Sequence, residues 1–142
     1  MARIVLDASV LIALLNSKDT HHRWALDFLV SASADEFLMP AINYAEALVH
    51  PVRAGLVEEF SSNIEKLGIQ IVDSSASDAI HLANLRVSTR LRMPDAIVLQ
   101  TALRTDADLA TTDEKLTAAA KQNRIGVFSP FTKLSHASHS NI

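Results

Sequence analysis

The stretch Arg3-Ile4-Val5-Leu6-Asp7-Ala8-Ser9-Val10-Leu11-Ile12-Ala13-Leu14-Leu15 decides how the rest of the 142-residue chain is read. Arg3-Ile4-Val5-Leu6 is short, apolar and β-branched, the composition of a parallel strand buried on both faces. Asp7 closes it, and a helix begins at Ser9-Val10-Leu11-Ile12-Ala13-Leu14-Leu15. The question for the remaining residues is whether this strand-to-helix step is repeated.

It is. A helix is expected from about Thr20 to Ala32, with Trp24, Leu26, Phe28 and Leu29 as its apolar contacts, then a brief strand at Phe37-Leu38-Met39. Pro40 suits a helix start, where a missing N–H costs nothing. The helix from Ala41 to about Leu48 carries Asn43, Glu46 and His50 on roughly one face, and Pro51 is expected to bend or end it. Val57 to Leu67 reads as a helix closed by Gly68, and Ile69-Gln70-Ile71-Val72 as a strand. Ser75 and Asp78 have capping-box spacing ahead of a helix to about Ser88. Pro94 and Asp95 open another helix to Leu103, Leu109-Ala110 is a short strand, Glu114 to Lys121 a helix, and Ile125 to Phe128 a last strand. This alternation predicts an α/β domain over residues 1–130, with three α/β/α layers and a mostly parallel central sheet. Residues 131–142 are expected to form a polar, loosely held tail.

Composition narrows the function classes. No apolar run approaches the roughly 18 residues of a membrane span, and Asp7 interrupts the first apolar run too early for a secretory signal. With no cysteine there is no disulfide framework and no thiolate metal site, which fits a cytoplasmic protein. Thirteen basic against sixteen acidic residues make −3, unfavourable for non-specific nucleic-acid binding. Setting four clustered acids aside would leave thirteen against twelve. No glycine-rich phosphate loop is present among only three glycines.

Asp7, Glu46, Asp95 and Asp113 are the acids that matter. Parallel sheets gather their sites beyond the carboxyl ends of the strands. Asp7 and Asp113 each follow a strand, Glu46 lies in the helix after the second strand, and Asp95 begins a helix. Brought together, four carboxylates repel unless cations lie among them, and all-oxygen ligands favour Mg²⁺ or Mn²⁺. Each acid also has a plainer reading. Asp7 and Asp113 can cap helices, and Asp95 can complement a helix dipole. Glu46, amid Ala45, Ala47, Leu48 and Val49, is the hardest to explain without a partner.

Ile4-Val5-Leu6-Asp7-Ala8-Ser9-Val10-Leu11-Ile12, then Glu46, then Pro94-Asp95-Ala96-Ile97-Val98, then Leu109-Ala110-Thr111-Thr112-Asp113 resembles, in that order, the PIN-domain family. It is similar above all to the VapC-type toxins of type II toxin–antitoxin pairs, over roughly residues 3 to 128. The resemblance implies an endoribonuclease whose acidic ligands, for one or two Mg²⁺ or Mn²⁺ ions, are Asp7, Glu46, Asp95 and Asp113. Ser9 and Thr111 then act as supporting hydroxyls. Thr112 departs from the Asn that many members carry, a change that removes no acid. RNA is the implied substrate, cleaved to a 5′-phosphate and a 3′-hydroxyl, with Asp95 or Asp113 handling the water's proton. A cognate antitoxin laid across the acidic groove and a homodimer formed through helices between about Ala41 and Leu67 are implied as well. A housekeeping RNA-processing nuclease and a non-catalytic binding module share the same fold.

Two other readings of a strand-end aspartate fit less well. A haloacid-dehalogenase-type phosphatase needs a second aspartate where Ser9 stands, and a receiver domain needs an early acidic pair and a late lysine. Arg86, Arg90 and Arg92 precede Asp95 and can either hold RNA phosphates or form a solvated helix face, and Arg53 and Lys66 are equally ambiguous. His21, His22, His136 and His139 lack ligand spacing to the acids, and His50 is expected to be structural.

Overall fold

A computed structural model of the protein describes residues 2–131. Five parallel strands run β1 (Arg3–Leu6), β2 (Glu36–Pro40), β3 (Ile69–Val72), β4 (Asp108–Ala110) and β5 (Val127–Phe128). They lie in the order β3-β2-β1-β4-β5, so the opening strand sits at the centre. Val5 pairs with Leu38 of β2 on one side and with Leu109 of β4 on the other. Seven helices connect the strands: α1 (Ala8–Leu15), α2 (His22–Ser31), α3 (Ala41–Arg53), α4 (Val57–Lys66), α5 (Ala79–Thr89), α6 (Met93–Thr105) and α7 (Glu114–Gln122).

Side-chain alternation along β1 divides the interior in two. Ile4 and Leu6 face a core with Val10 and Leu11 of α1, Phe28 of α2, Phe37 and Met39 of β2, and Ile64 of α4. Val5 faces the other way, into a core with Leu38, Leu85 of α5, Leu99 of α6, Leu109, Leu116 of α7 and Val127. The sheet is thus covered on both faces, which is why its strands are continuous apolar runs. Each fully buried aliphatic side chain stabilises the fold by roughly 1.5–3 kcal/mol. Ile4, Leu6 and Leu109 are in that position.

Most expected elements are present within two residues of their expected ends, and Pro51 marks one difference. α3 does not stop near Leu48 but continues through Pro51 to Arg53. A proline removes one helical donor, and the ladder resumes beyond it when Ala54 N–H reaches the His50 carbonyl. The Pro51 ring is buried, and this packing compensates for the lost bond. Gly68, at φ +73°, closes the turn after α4 as the spacing predicts. Ser75 and Asp78 form their capping box on a 3-10 turn (Ala76–Asp78) ahead of α5. Among the described residues no helix is long and apolar enough to cross a membrane. The expected tail, with His136 and His139, lies outside the described residues except for Phe131.

Parallel strands share one carboxyl edge. Asp7 follows β1 at that edge, and α3 leaves it directly after β2. Thr111, Thr112 and Asp113 follow β4 there. α6 leads into β4 and so runs back across the sheet, which puts its first turn, with Asp95, at the same edge.

Candidate active site

Asp7 is the buried centre of this edge, 4% exposed. Although it occupies the N-cap position of α1, its side chain caps nothing. Instead its Oδ2 accepts hydrogen bonds from Ser9 Oγ at 2.7 Å and from Thr111 Oγ1 at 2.9 Å. Those hydroxyls accept in turn from the backbone: Thr112 N–H donates to Ser9 Oγ at 2.9 Å and Asp113 N–H to Thr111 Oγ1 at 3.0 Å. Both hydroxyl protons are therefore directed at the carboxylate, and the 3.3 Å contact between the two oxygens is a side-by-side one. Chains of this kind, amide to hydroxyl to carboxylate, strengthen each link. They exist because β1 and β4 are neighbours, with Leu6 paired to Ala110.

Asp113 combines a plain role with a chemical one. Its Oδ1 accepts from Leu116 N–H at 3.0 Å and caps α7. Its charge also reaches Asp7 and Asp95, where it opposes ionisation. Asp95, 8% exposed in the first turn of α6, is held above the usual carboxylate pKa first by burial and then by the charge of Asp7. Burial likewise raises Asp7, against the lowering effect of its two hydroxyl donors. Glu46, half-buried on α3, is raised by burial and by the charge of Asp95, and lowered by Arg92. Through these charges the four sequence-predicted acids act on one another at a single edge of the sheet.

Two further side chains belong to the cluster. Arg92, the N-cap residue of α6, approaches Asp95 with Nε 3.6 Å from Oδ2. The other two arginines of that region have different roles: Arg86 donates to the Leu91 carbonyl at 3.0 Å, and Arg90 takes the left-handed conformation that ends α5. Asn43, one turn before Glu46 on α3, is fully buried and donates through Nδ2 to the Pro94 carbonyl at 3.3 Å. Its Oδ1 has no partner among the described residues. The shared helix face of Asn43 and Glu46 is legible in the sequence. That Asn43 ties α3 to the residue before Asp95 is not.

His50 lines a separate cavity of about 710 Å³ between α1, α3 and α4, with Ile12, Leu15, Pro51, Leu56 and Phe60. His22 Nδ1 lies 2.8 Å from the Ala13 carbonyl, and His21 packs edge-on against Phe131, so both are engaged in the fold. Arg53 and Lys66 end α3 and α4 as exposed residues.

The donor set fits a hard divalent cation: four carboxylates, of which Asp7, Glu46 and Asp95 are held above the usual range chiefly by burial, with no thiolate or imidazole among them. Among the described residues, no three acidic or imidazole groups stand close enough to hold an ion as they are, so binding one requires the side chains to close on it.

An all-parallel α/β/α domain with an acidic cluster on the carboxyl edge defines the class. Within it, a family model for the PIN domain matches residues 4–122, and the chain belongs to that family. Solved structures agree in fold. FitAcB from Neisseria gonorrhoeae is 22% identical, with a TM-score of 0.72 and coverage of 91% of this chain and 99% of that one. A toxin–antitoxin complex from Klebsiella pneumoniae is 24% identical, with a TM-score of 0.70 and coverage of 90% and 98%. VapC20 of Mycobacterium tuberculosis, a sarcin–ricin loop cleaving toxin, is 15% identical, with a TM-score of 0.68 and coverage of 82% and 94%. Comparison of the sequence with curated proteins gave no match.

Proposed function

We propose that the protein is a metal-dependent endoribonuclease that hydrolyses RNA phosphodiester bonds in the cytoplasm and is the toxin of a type II toxin–antitoxin pair. The observation that carries this reading is the carboxylate cluster itself. Asp7 is buried and aimed by two hydroxyls, and Asp95 and Asp113 act on it or on each other through their charges. Asp7 and Asp95 are thereby held above the usual carboxylate range, and cation binding would reverse that. Asp7, Glu46, Asp95 and Asp113 would hold one or two Mg²⁺ or Mn²⁺ ions. Bound there, the metal supplies charge neutralisation at the scissile phosphate and a more acidic water.

The chain's own residues do the rest. Ser9 and Thr111 keep Asp7 in a single orientation, and Leu116 N–H does the same for Asp113. Asn43, through the Pro94 carbonyl, keeps the start of α6 against α3 and so keeps Glu46 and Asp95 in register. Asp95 or Asp113 accepts the proton of the attacking water. The toxin assignment draws on the likeness to the Klebsiella complex and to VapC20. A homodimer is supported by Ile42, Val49 and Val52 of α3 with Leu56 beyond it, all about half exposed and spaced along one stripe.

The test is cleavage of cellular RNA by purified protein with Mg²⁺ or Mn²⁺, and its loss in EDTA and in folded Asp7→Asn and Asp95→Asn proteins. Equal activity in those variants and the wild type would overturn the reading. Mapping RNA ends after induced expression identifies the substrate, and a short overlapping upstream frame encoding a DNA-binding protein would separate a toxin from a housekeeping nuclease.

A further inference from the structure

Arg92 stands in a place its neighbours do not explain. It is the only described basic side chain whose charge bears on Glu46 and Asp95, both proposed ligands of one cation site. Its backbone is fixed, because Arg92 caps α6 and its carbonyl accepts Ala96 N–H at 3.0 Å. Its side chain is not fixed in the same way. The approach to Asp95 closes at 3.6 Å, beyond a good hydrogen bond, and the side chain remains 73% exposed. Exposed pairs of this kind hold little. Most of the guanidinium's five donors are thus uncommitted at the mouth of an acidic cluster that a substrate phosphate must enter.

Two roles are open to such a group. As a strut it would keep Asp95 in place for the metal. As a counter-charge it would sit beside Asp95 only until a cation took the carboxylate, and would then face outward with its donor fork free. Length, exposure and the lack of a second anchor among the described residues favour the counter-charge. A planar fork of donors also matches the geometry of a phosphate, where it can bond bidentately.

We propose that Arg92 is the phosphate-binding residue of the site, resting against Asp95 in the metal-free protein and holding a backbone phosphate of single-stranded RNA beside the scissile bond when the acids are occupied. This rests on the metal-dependent nuclease reading above. It also implies an opposition that a strut would not produce: the arginine's positive charge helps RNA to bind and hinders the cation.

Arg92→Ala and Arg92→Lys test it, with Mn²⁺ binding followed by calorimetry on metal-free protein and cleavage of a fluorescent oligoribonucleotide followed over a range of salt. Expected for Arg92→Ala is a KM raised about 10- to 100-fold, the worth of one charge-assisted contact. Its salt dependence should be shallower by about 0.7 in log–log slope, the value for one phosphate of a single strand. Its Mn²⁺ affinity should be equal to the wild type's or higher. Arg92→Lys should restore the salt slope but only part of the KM. Weakened Mn²⁺ binding with an unchanged KM would make Arg92 a strut and overturn the proposal. If wild-type protein neither bound Mn²⁺ nor cut RNA, the nuclease reading would fall and this proposal with it, a result distinct from an active Arg92→Ala protein of unchanged KM.

Discussion

Replacing Asp7 by Asn should make the metal-free protein more stable while abolishing its activity. The carboxylate is buried, and burial is the largest influence on it, raising its pKa despite two hydroxyl donors and the Ala8 N–H. Asp113 adds repulsion. An asparagine oxygen can still accept from Ser9 and Thr111, but as neutral bonds, a loss of about 1 kcal/mol. Against this stands relief of a buried-charge penalty that amounts to several kcal/mol per ion. Because the two hydroxyl bonds already offset part of that penalty in the wild type, the net gain is about 1–2 kcal/mol, or a Tm higher by roughly 3–6 °C at this chain length. Scanning calorimetry in EDTA at pH 7.5 (wild type against Asp7→Asn) measures it. Excess Mg²⁺ or Mn²⁺ should then raise the wild-type Tm alone. Cleavage should fall at least about a hundredfold, since outer-shell partners already cost 10- to 100-fold. A lower Tm in EDTA, or equal stabilisation of both proteins by the cation, would refute the reasoning.

Other outcomes follow from the same geometry. Thr111→Val leaves Asp113 N–H without an acceptor and takes one donor from Asp7, so it should cost about 1–3 kcal/mol in denaturant unfolding and 10- to 100-fold in activity. The pKa shifts set the pH profile of metal-free stability. Asp7, Glu46 and Asp95 are raised, chiefly by burial, so the folded protein holds more protons than the unfolded chain from about pH 4 upward, and stability falls as pH rises through that window. Asp78 works in the opposite sense. The Ser75 N–H holds its carboxyl low, so its contribution is present above about pH 4 and lost as pH falls further. The Tm in EDTA should therefore fall as pH rises from mildly acidic values, and a Tm rising steadily from pH 5 to 8 would contradict the assigned directions. Val52→Asp, in the exposed stripe of α3, should break the proposed dimer into monomers by sedimentation, and a wild-type monomer at micromolar concentration would remove the dimer proposal.

The placement of the four candidate acids was legible in the sequence because each sits at a junction that local patterning reveals: Asp7 and Asp113 after apolar strands, Asp95 after Pro94, and Glu46 among small apolar residues of a helix. Proline at 51 misled about the end of α3. A breaker's local cost is visible in a sequence, whereas the burial that compensates for it is not. The role of Gln100 is hidden from the sequence for the same reason. It reads as one polar residue in an apolar helix, yet its Nε2 donates to Asp78 at 2.9 Å and joins α6 to the start of α5.

By itself the sequence determined the alternation of strands and helices, the two-faced burial of β1 and the placement of the candidate acids at strand and helix junctions, because periodicity and strand-end chemistry are local properties of the chain. Only the tertiary structure decided how the supporting groups reach those acids. Ser9 and Thr111 meet on one oxygen of Asp7 because β1 lies beside β4, Asn43 reaches Pro94 because α3 packs against α6, and the charge of Arg92 reaches Glu46 because two helices start at the same edge. Contacts between residues dozens of positions apart are set by sheet order and packing, and no local pattern encodes them.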